Sequence, residues 1–151
     1  MFLFYLTALS VGIEGGYSQP AVRFNNLNAG TAFVLFAGRD FKIINSTLAF
    51  ETRFYRGENA GYSFTTTGIR FEMSQRNWRF SPVIGCGADY VTRSINKNRE
   101  SGFAFNYRIG LLINFFINRL RIYPKFCYEG ITDSQEQAGF FNIKLGLDYE
   151  L

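Results

Sequence analysis

The chain contains no histidine. Histidine is the commonest general base and metal ligand, so His-based triads, dyads and histidine zinc sites are excluded. No stretch approaches the ~18 consecutive apolar residues of a membrane helix, and mean hydropathy is only −0.04. That argues against a helical membrane protein but not against a strand-built one, whose lumen-facing residues dilute the hydrophobicity of every strand. Proline (3) is scarce, and the two cysteines are Cys86 and Cys127. The parity of the segments around them puts these cysteines on opposite faces. That argues against a disulfide and for two small apolar residues. Net charge is +4 and the isoelectric point about 9.2, yet no Lys/Arg cluster exists. The bases are spread singly, often beside acids, so nucleic acid is not an expected partner.

Aromatics and alternation are what the chain does have. Aromatic residues make up 19% of its 151 residues, with 18 Phe and 9 Tyr. In 103–114 the odd positions are Phe103, Phe105, Tyr107, Ile109, Leu111 and Ile113, while the even positions include Ala104, Asn106, Arg108, Gly110 and Asn114. Successive strand side chains point to opposite faces. The segment therefore reads as a strand with one apolar and one polar face, close to the ~9–11 residues that a tilted strand needs to cross a bilayer.

Seven other stretches read the same way, giving about eight strands over 6–18, 31–39, 44–56, 62–74, 80–93, 103–114, 120–130 and 141–151. The parity of the second is ambiguous, because Phe33, Val34, Leu35 and Phe36 run together. Connections at 40–43, 75–79 and 116–119 are tight. Those at 19–30, 95–101 and 132–138 read as longer and polar, and 57–61 is short. In an up-and-down meander these two sets lie at opposite ends, as in outer-membrane barrels. A single domain over 1–151 is expected, with 1–8 either a signal-peptide remnant or the start of the first strand.

Three features argue that the apolar face is the outer one. Gly12, Gly16, Gly68, Gly85, Gly87, Gly110 and Gly146 all share the polar face, where a narrow lumen needs small residues and a solvated surface does not. That face also carries both signs of charge at mid-strand. Glu51, Arg53, Arg70, Glu72, Asp89, Arg108, Lys125 and Glu129 form the candidate lumen network, with arginines pairing carboxylates on neighbouring strands. On the apolar face, Tyr17, Phe54, Tyr90, Phe103 and Tyr128 fall at the long-loop ends of their strands and Tyr149 at the other end, as in an aromatic girdle at headgroup depth.

The stretch 80–90, Phe-Ser-Pro-Val-Ile-Gly-Cys-Gly-Ala-Asp-Tyr, together with Tyr107-Arg108-Ile109-Gly110, resembles the small outer-membrane β-barrels of Gram-negative bacteria of the OmpA transmembrane-domain, OmpX and opacity-protein kind. The end of the chain, with Leu147, Tyr149 and Leu151 alternating, is similar to that group's C-terminal assembly signal, although Leu replaces the usual final Phe. The resemblance implies an all-β, closed antiparallel up-and-down transmembrane barrel in the outer membrane. It implies outer-membrane lipid, the barrel-assembly machinery and other outer-membrane proteins as partners. The expected role is structural or interactive, with a side-chain-filled lumen and the loops as candidate recognition surface. No catalytic, cofactor or metal site is expected. The alternative is a soluble lipocalin-like ligand-binding barrel, which would bury the apolar face.

Overall fold

The computed structural model describes residues 6–21, 28–41, 44–56, 62–75, 77–95, 98–132 and 137–151. Met1–Tyr5 of the suspected signal remnant lie outside the described residues, and the first strand begins at Leu6. Nine strands follow in order: β1 (Leu6–Pro20), β2 (Gly30–Phe41), β3 (Asn45–Arg56), β4 (Tyr62–Ser74), β5 (Phe80–Ile95), β6 (Asn98–Ile113), β7 (Phe115–Ile117), β8 (Leu120–Thr132) and β9 (Gln137–Glu150). There is no helix among the described residues.

From β1 to β6 each strand pairs antiparallel with the next, β8 pairs β7 and β9, β1 pairs β9, and β6 pairs β8, so the sheet closes. β6 and β7 are one wall position interrupted at Asn114. Leu112 faces Lys125 and Phe115 faces Ile122, so the register is unbroken across the gap. The interruption falls opposite Tyr123 and Pro124, and Pro124 has no N–H to give to a ladder. The structure is thus an eight-stranded up-and-down barrel. β7 and β8 are joined through Asn118, whose φ of 57° is the left-handed conformation that a two-residue hairpin turn of this kind requires and that Asn tolerates.

The registers fix the barrel's size. From Ile13, partner follows partner through Leu35, Phe50, Ile69, Ala88, Phe105 and Thr132. In the other direction, Ile13 leads through Leu147 to Ile122. The circuit therefore returns to β8 ten residues displaced, at Thr132 against Ile122. Eight strands with that stagger give a tilt of about 40° and a backbone radius of about 8 Å, a bore that side chains fill.

Two of the expected long loops are strand instead. β5 and β6 stay paired up to Ile95 opposite Asn98, and β8 and β9 up to Thr132 opposite Gln137. Of 95–101 only 96–97, and of 132–138 only 133–136, lie outside the described strands. Ser94 to Arg99 is a ladder rung, so these residues are framework. The expected contrast between long and short connections reduces mainly to 21–29. Beyond the apolar wall the strands carry polar residues on both faces, so alternation gives no sign that they continue. β6 pairs β8 only from Phe105 onward, and the β5–β6 hairpin accordingly stands above the β8–β9 hairpin.

Candidate functional site

The interior is polar and the exterior apolar. Leu9, Val11, Ile13, Leu35, Leu48, Phe50, Ile69, Ile84, Ile109, Leu111, Ile143, Leu145 and Leu147 are exposed on the outer wall, whereas Arg53, Arg70 and Arg121 lead the largest fully buried side chains. In β3 the burial alternates strictly from Asn45, with Thr47, Ala49, Glu51, Arg53 and Tyr55 inside. β2 resolves the ambiguous run: Phe33 and Leu35 point out, Val34 and Phe36 in.

Among the described residues, twelve charged side chains are buried. Six are acids (Glu14, Glu51, Glu72, Asp89, Glu129, Asp148) and six are bases (Arg53, Arg70, Arg108, Arg121, Lys125, Lys144). The two signs balance in formal charge. Glu51 is the hub. It takes Arg108 Nη2 at 2.9 Å and Arg53 Nε at 3.4 Å, and it also pairs with Arg70 and Lys144. Glu72 binds Arg70 Nε at 2.7 Å, Lys125 Nζ at 2.7 Å and Arg108 Nη1 at 3.1 Å. Glu129 receives Arg53 Nη2 at 2.8 Å, Asn142 Nδ2 at 3.1 Å and Arg108. Asp89 receives Arg53 Nη2 at 3.1 Å and Asn106 Nδ2 at 2.9 Å. Glu14 receives Lys125 Nζ at 2.5 Å and the Tyr123 hydroxyl at 2.9 Å. Charge-assisted bonds of this kind offset the desolvation of each ion only when nearly every partner is in place. Arg108 on β6 and Lys144 on β9 both reach Glu51 on β3, so the network crosses the bore instead of lining it.

The network also takes in Glu14, Lys144, Asp148 and Arg121, beyond the eight candidate residues. All four belong to the polar faces, but nothing in one strand marks which charges meet across the bore. Sequence reasoning missed two apolar layers. Tyr55, Phe64, Val91, Ala104, Ile131, Ala138 and Phe140 pack above the network, and Val34, Phe36, Ala49, Val83, Leu112 and Tyr123 below it. In the upper layer the Tyr55 and Phe140 rings are 4.9 Å apart and the Tyr55 hydroxyl is 2.8 Å from Ser18 Oγ. Beneath the lower layer, Asp148 accepts from Arg121 Nε at 2.9 Å. The cavity left beside Glu14, Tyr123 and Lys125 is about 10 Å³, room for about one water.

On the outer wall, Tyr17 and Phe54 are exposed near the upper ends of their strands, Tyr90 and Phe103 are exposed well below the tip of the extended β5–β6 hairpin, and Tyr149 is exposed at the other end. Tyr90 and Phe103 meet edge-on at 5.4 Å, as do Tyr128 and Phe141 at 5.5 Å. Gly130 and Gly139 form a cross-strand pair and are covered by the Tyr107 and Tyr128 rings, aromatic cover for a rung without side chains. Leu147 and Leu151 are exposed, and the Leu151 N–H donates to Leu9 O at 2.8 Å. Cys86 lies on the outer wall and Cys127 in the bore, both free.

No protein-family model and no curated protein matches the sequence. Solved structures do match in fold. Neisserial surface protein A superposes with a TM-score of 0.63 at 8% identity, covering 96% of this chain and 98% of that one. The attachment invasion locus protein Ail of Yersinia pestis gives 0.62 at 17% identity, covering 95% and 100%. The N-terminal β-barrel domain of Pseudomonas aeruginosa OprF gives 0.60 at 14% identity, covering 94% and 97%. The chain has the fold of small outer-membrane barrels.

Proposed function

We propose that the chain is an integral outer-membrane β-barrel with a sealed lumen and a structural or interaction role. One observation carries this reading: the barrel is inverted, with charges inside and an apolar belt outside. In water that belt would be an aggregation surface far beyond the few hundred Å² that soluble monomers expose. In a bilayer it is the required wall, and closure leaves no backbone edge to be satisfied by lipid. The rings of Tyr17, Phe54, Tyr90, Phe103 and Tyr128 form the girdle at one headgroup layer and Tyr149 belongs to the other. The soluble lipocalin-like alternative requires the opposite arrangement of faces.

The lumen is not a diffusion path. Two apolar layers enclose a neutral, cross-linked network, and a bore of this size is filled by side chains. No catalytic chemistry is assigned to the carboxylates, because each buried acid is engaged by cations or amides. The end bearing the 75–79 connection, the Asn118 turn and Leu151 faces the periplasm, where short turns are placed in such barrels. Leu147, Tyr149 and Leu151 serve as the assembly signal. The projecting β5–β6 hairpin, with Arg93, Arg99 and Glu100 near its tip, is the candidate surface for recognition by other proteins.

The experiment is folding from urea into phospholipid vesicles, read as a shift in gel mobility between unboiled and boiled samples, followed by conductance in planar bilayers. A heat-modifiable band without steady channels supports the reading. Purification as a stable monomer without detergent contradicts it.

A further inference from the structure

The edges of the apolar wall are not level around the barrel. β3 and β8 hold the third and seventh of the eight wall positions and so face each other across the bore. From Ile13 the ladders lead forward two strands to Phe50 and back two strands to Ile122. Four strand steps at the strand tilt given above put Phe50 about 12 Å higher along the barrel axis than Ile122.

The outward rows of these two strands begin and end at different heights. On β3 the large apolar positions run from Leu48 to Phe54, with Ser46 below and exposed Arg56 above. On β8 they run from Leu120 to Tyr128. Leu48 and Leu120 each lie two residues below Phe50 and Ile122, so the lower edge on β3 stands about 12 Å above that on β8. Phe54 lies four residues above Phe50 and Tyr128 six above Ile122, which leaves the girdle ring on β3 about 7 Å above its counterpart. β4 and β9, also opposite, repeat the offset: Met73, the last apolar position of the β4 row, stands about 7 Å above Tyr149 by the same registers. The rows on β2 (Phe33 to Ala37) and on β6 with β7 (Phe103 to Ile117) are centred at nearly one height. The slope therefore runs along the diameter from β3 and β4 to β8 and β9.

We propose that the barrel sits obliquely in the bilayer, its upper end leaning toward β3 and β4 by about 20° from the membrane normal. The angle follows from an offset of about 10 Å over the ~25 Å between outward side chains on opposite walls. The proposal rests on the lipid-facing reading of the wall. A headgroup layer is flat on the scale of one barrel, and an upright barrel would hold Phe54 and Tyr128 at different depths in it. The lean brings both rings to one depth, where aromatic rings are favoured. It also lowers Arg56, the next outward position above Phe54, to the headgroup phosphates, which a guanidinium binds well. The β8–β9 hairpin is lifted away from the surface on the other side.

The test is nitroxide scanning of the folded barrel in phosphatidylcholine nanodiscs, at four outward sites made cysteine one at a time in a Cys86→Ala background. By the registers, Phe50 on β3 and Ile143 on β9 have axial heights within about 1 Å, and Leu147 on β9 lies about 2 Å below Met73 on β4. In an upright barrel, labels at Phe50→Cys and Ile143→Cys lie equally deep, and one at Leu147→Cys lies nearer the lower surface than one at Met73→Cys. The lean predicts a different order. The ratio of relaxation by oxygen to relaxation by a water-soluble nickel chelate should be severalfold higher at Phe50→Cys than at Ile143→Cys. It should also be severalfold higher at Leu147→Cys than at Met73→Cys. Depths that follow axial height alone overturn the proposal. The wild type supplies a second measurement that needs no substitution: amide infrared dichroism in oriented bilayers should give a barrel axis about 20° off the normal. An axis along the normal overturns the lean as well. Relaxation by nickel without oxygen at all four sites contradicts the membrane wall itself, a result distinct from protected labels ordered by axial height.

Discussion

Lys125 and Lys144 stand directly opposite each other on β8 and β9, both pointing into the bore and both buried. Like charges in that position repel. The pair is held by carboxylates from other strands: Lys125 by Glu14 of β1 and Glu72 of β4, and Lys144 by Glu51 of β3. The two ammonium groups thus tie the β8–β9 wall to the opposite side of the barrel.

Glu51 carries the most cations, so its loss should be the most damaging single change in the bore. Glu51→Gln leaves Arg70, Arg108 and Lys144 short of a counter-charge. It is expected to cost about 3–5 kcal/mol in reversible urea unfolding from lipid vesicles. Leu48→Ile, three residues away on the outer wall, should stay within about 0.5 kcal/mol. Equal effects from the two would show that the network contributes nothing.

Glycines of the two faces should respond oppositely. A Cβ at Gly146 lies on the Tyr123 ring, 2.6 Å from its hydroxyl oxygen, whereas nothing lies within 4 Å of one at Gly15. Gly146→Val should sharply reduce the yield of folded barrel, and Gly15→Val should leave it unchanged. The yield is read as the heat-modifiable fraction on a gel. Tolerance at Gly146 would mean that the bore is looser than the ring contact requires.

Leu111 is 40% exposed at mid-height on β6 and its neighbour Leu112 is 3% exposed in the lower apolar layer. Leu111→Arg should cost about 2–4 kcal/mol in a bilayer, and Arg99→Leu, on the projecting hairpin, close to nothing. A neutral Leu111→Arg would mean that this face does not meet hydrocarbon.

Sequence alone places the two faces of β1, β3, β4, β5, β6, β8 and β9 because one charged or glycine-rich row alternates with one apolar row. It fails at β2 for a physical reason. Val34 and Phe36 belong to the lower apolar layer, so both faces of the strand are apolar there. The same holds for Val83, Leu112, Phe64 and Phe140. Whether an inward position needs a charge or an apolar group depends on its height, and height follows from the stagger between strands, which no single strand encodes. The cross-bore pairs, such as Arg108 with Glu51 and Lys125 with Glu14, are unreadable on the same ground. The extension of β5 and β6 to Ile95 and Asn98 was hidden because polar residues on both faces look like loop.

Removing part of the upper layer tests the seal. Phe64→Ala with Phe140→Ala opens the space above Arg53 and Asp89, while the network and the lower layer stay in place. Planar-bilayer recordings should still show no steady conductance. A stable channel in the double variant, absent in the wild type, would show that the upper layer alone closes the bore.

The claim that the apolar wall faces lipid is tested most directly at the two native cysteines, which sit on opposite faces of the sheet. A nitroxide label placed on the folded protein in nanodiscs should attach to exposed Cys86 and spare buried Cys127. The label on Cys86, between Ile84 and Ala88 on the outer wall, should be relaxed by dissolved oxygen and protected from a water-soluble nickel chelate. Relaxation by the nickel chelate with little effect of oxygen would place that wall in water and contradict the membrane barrel.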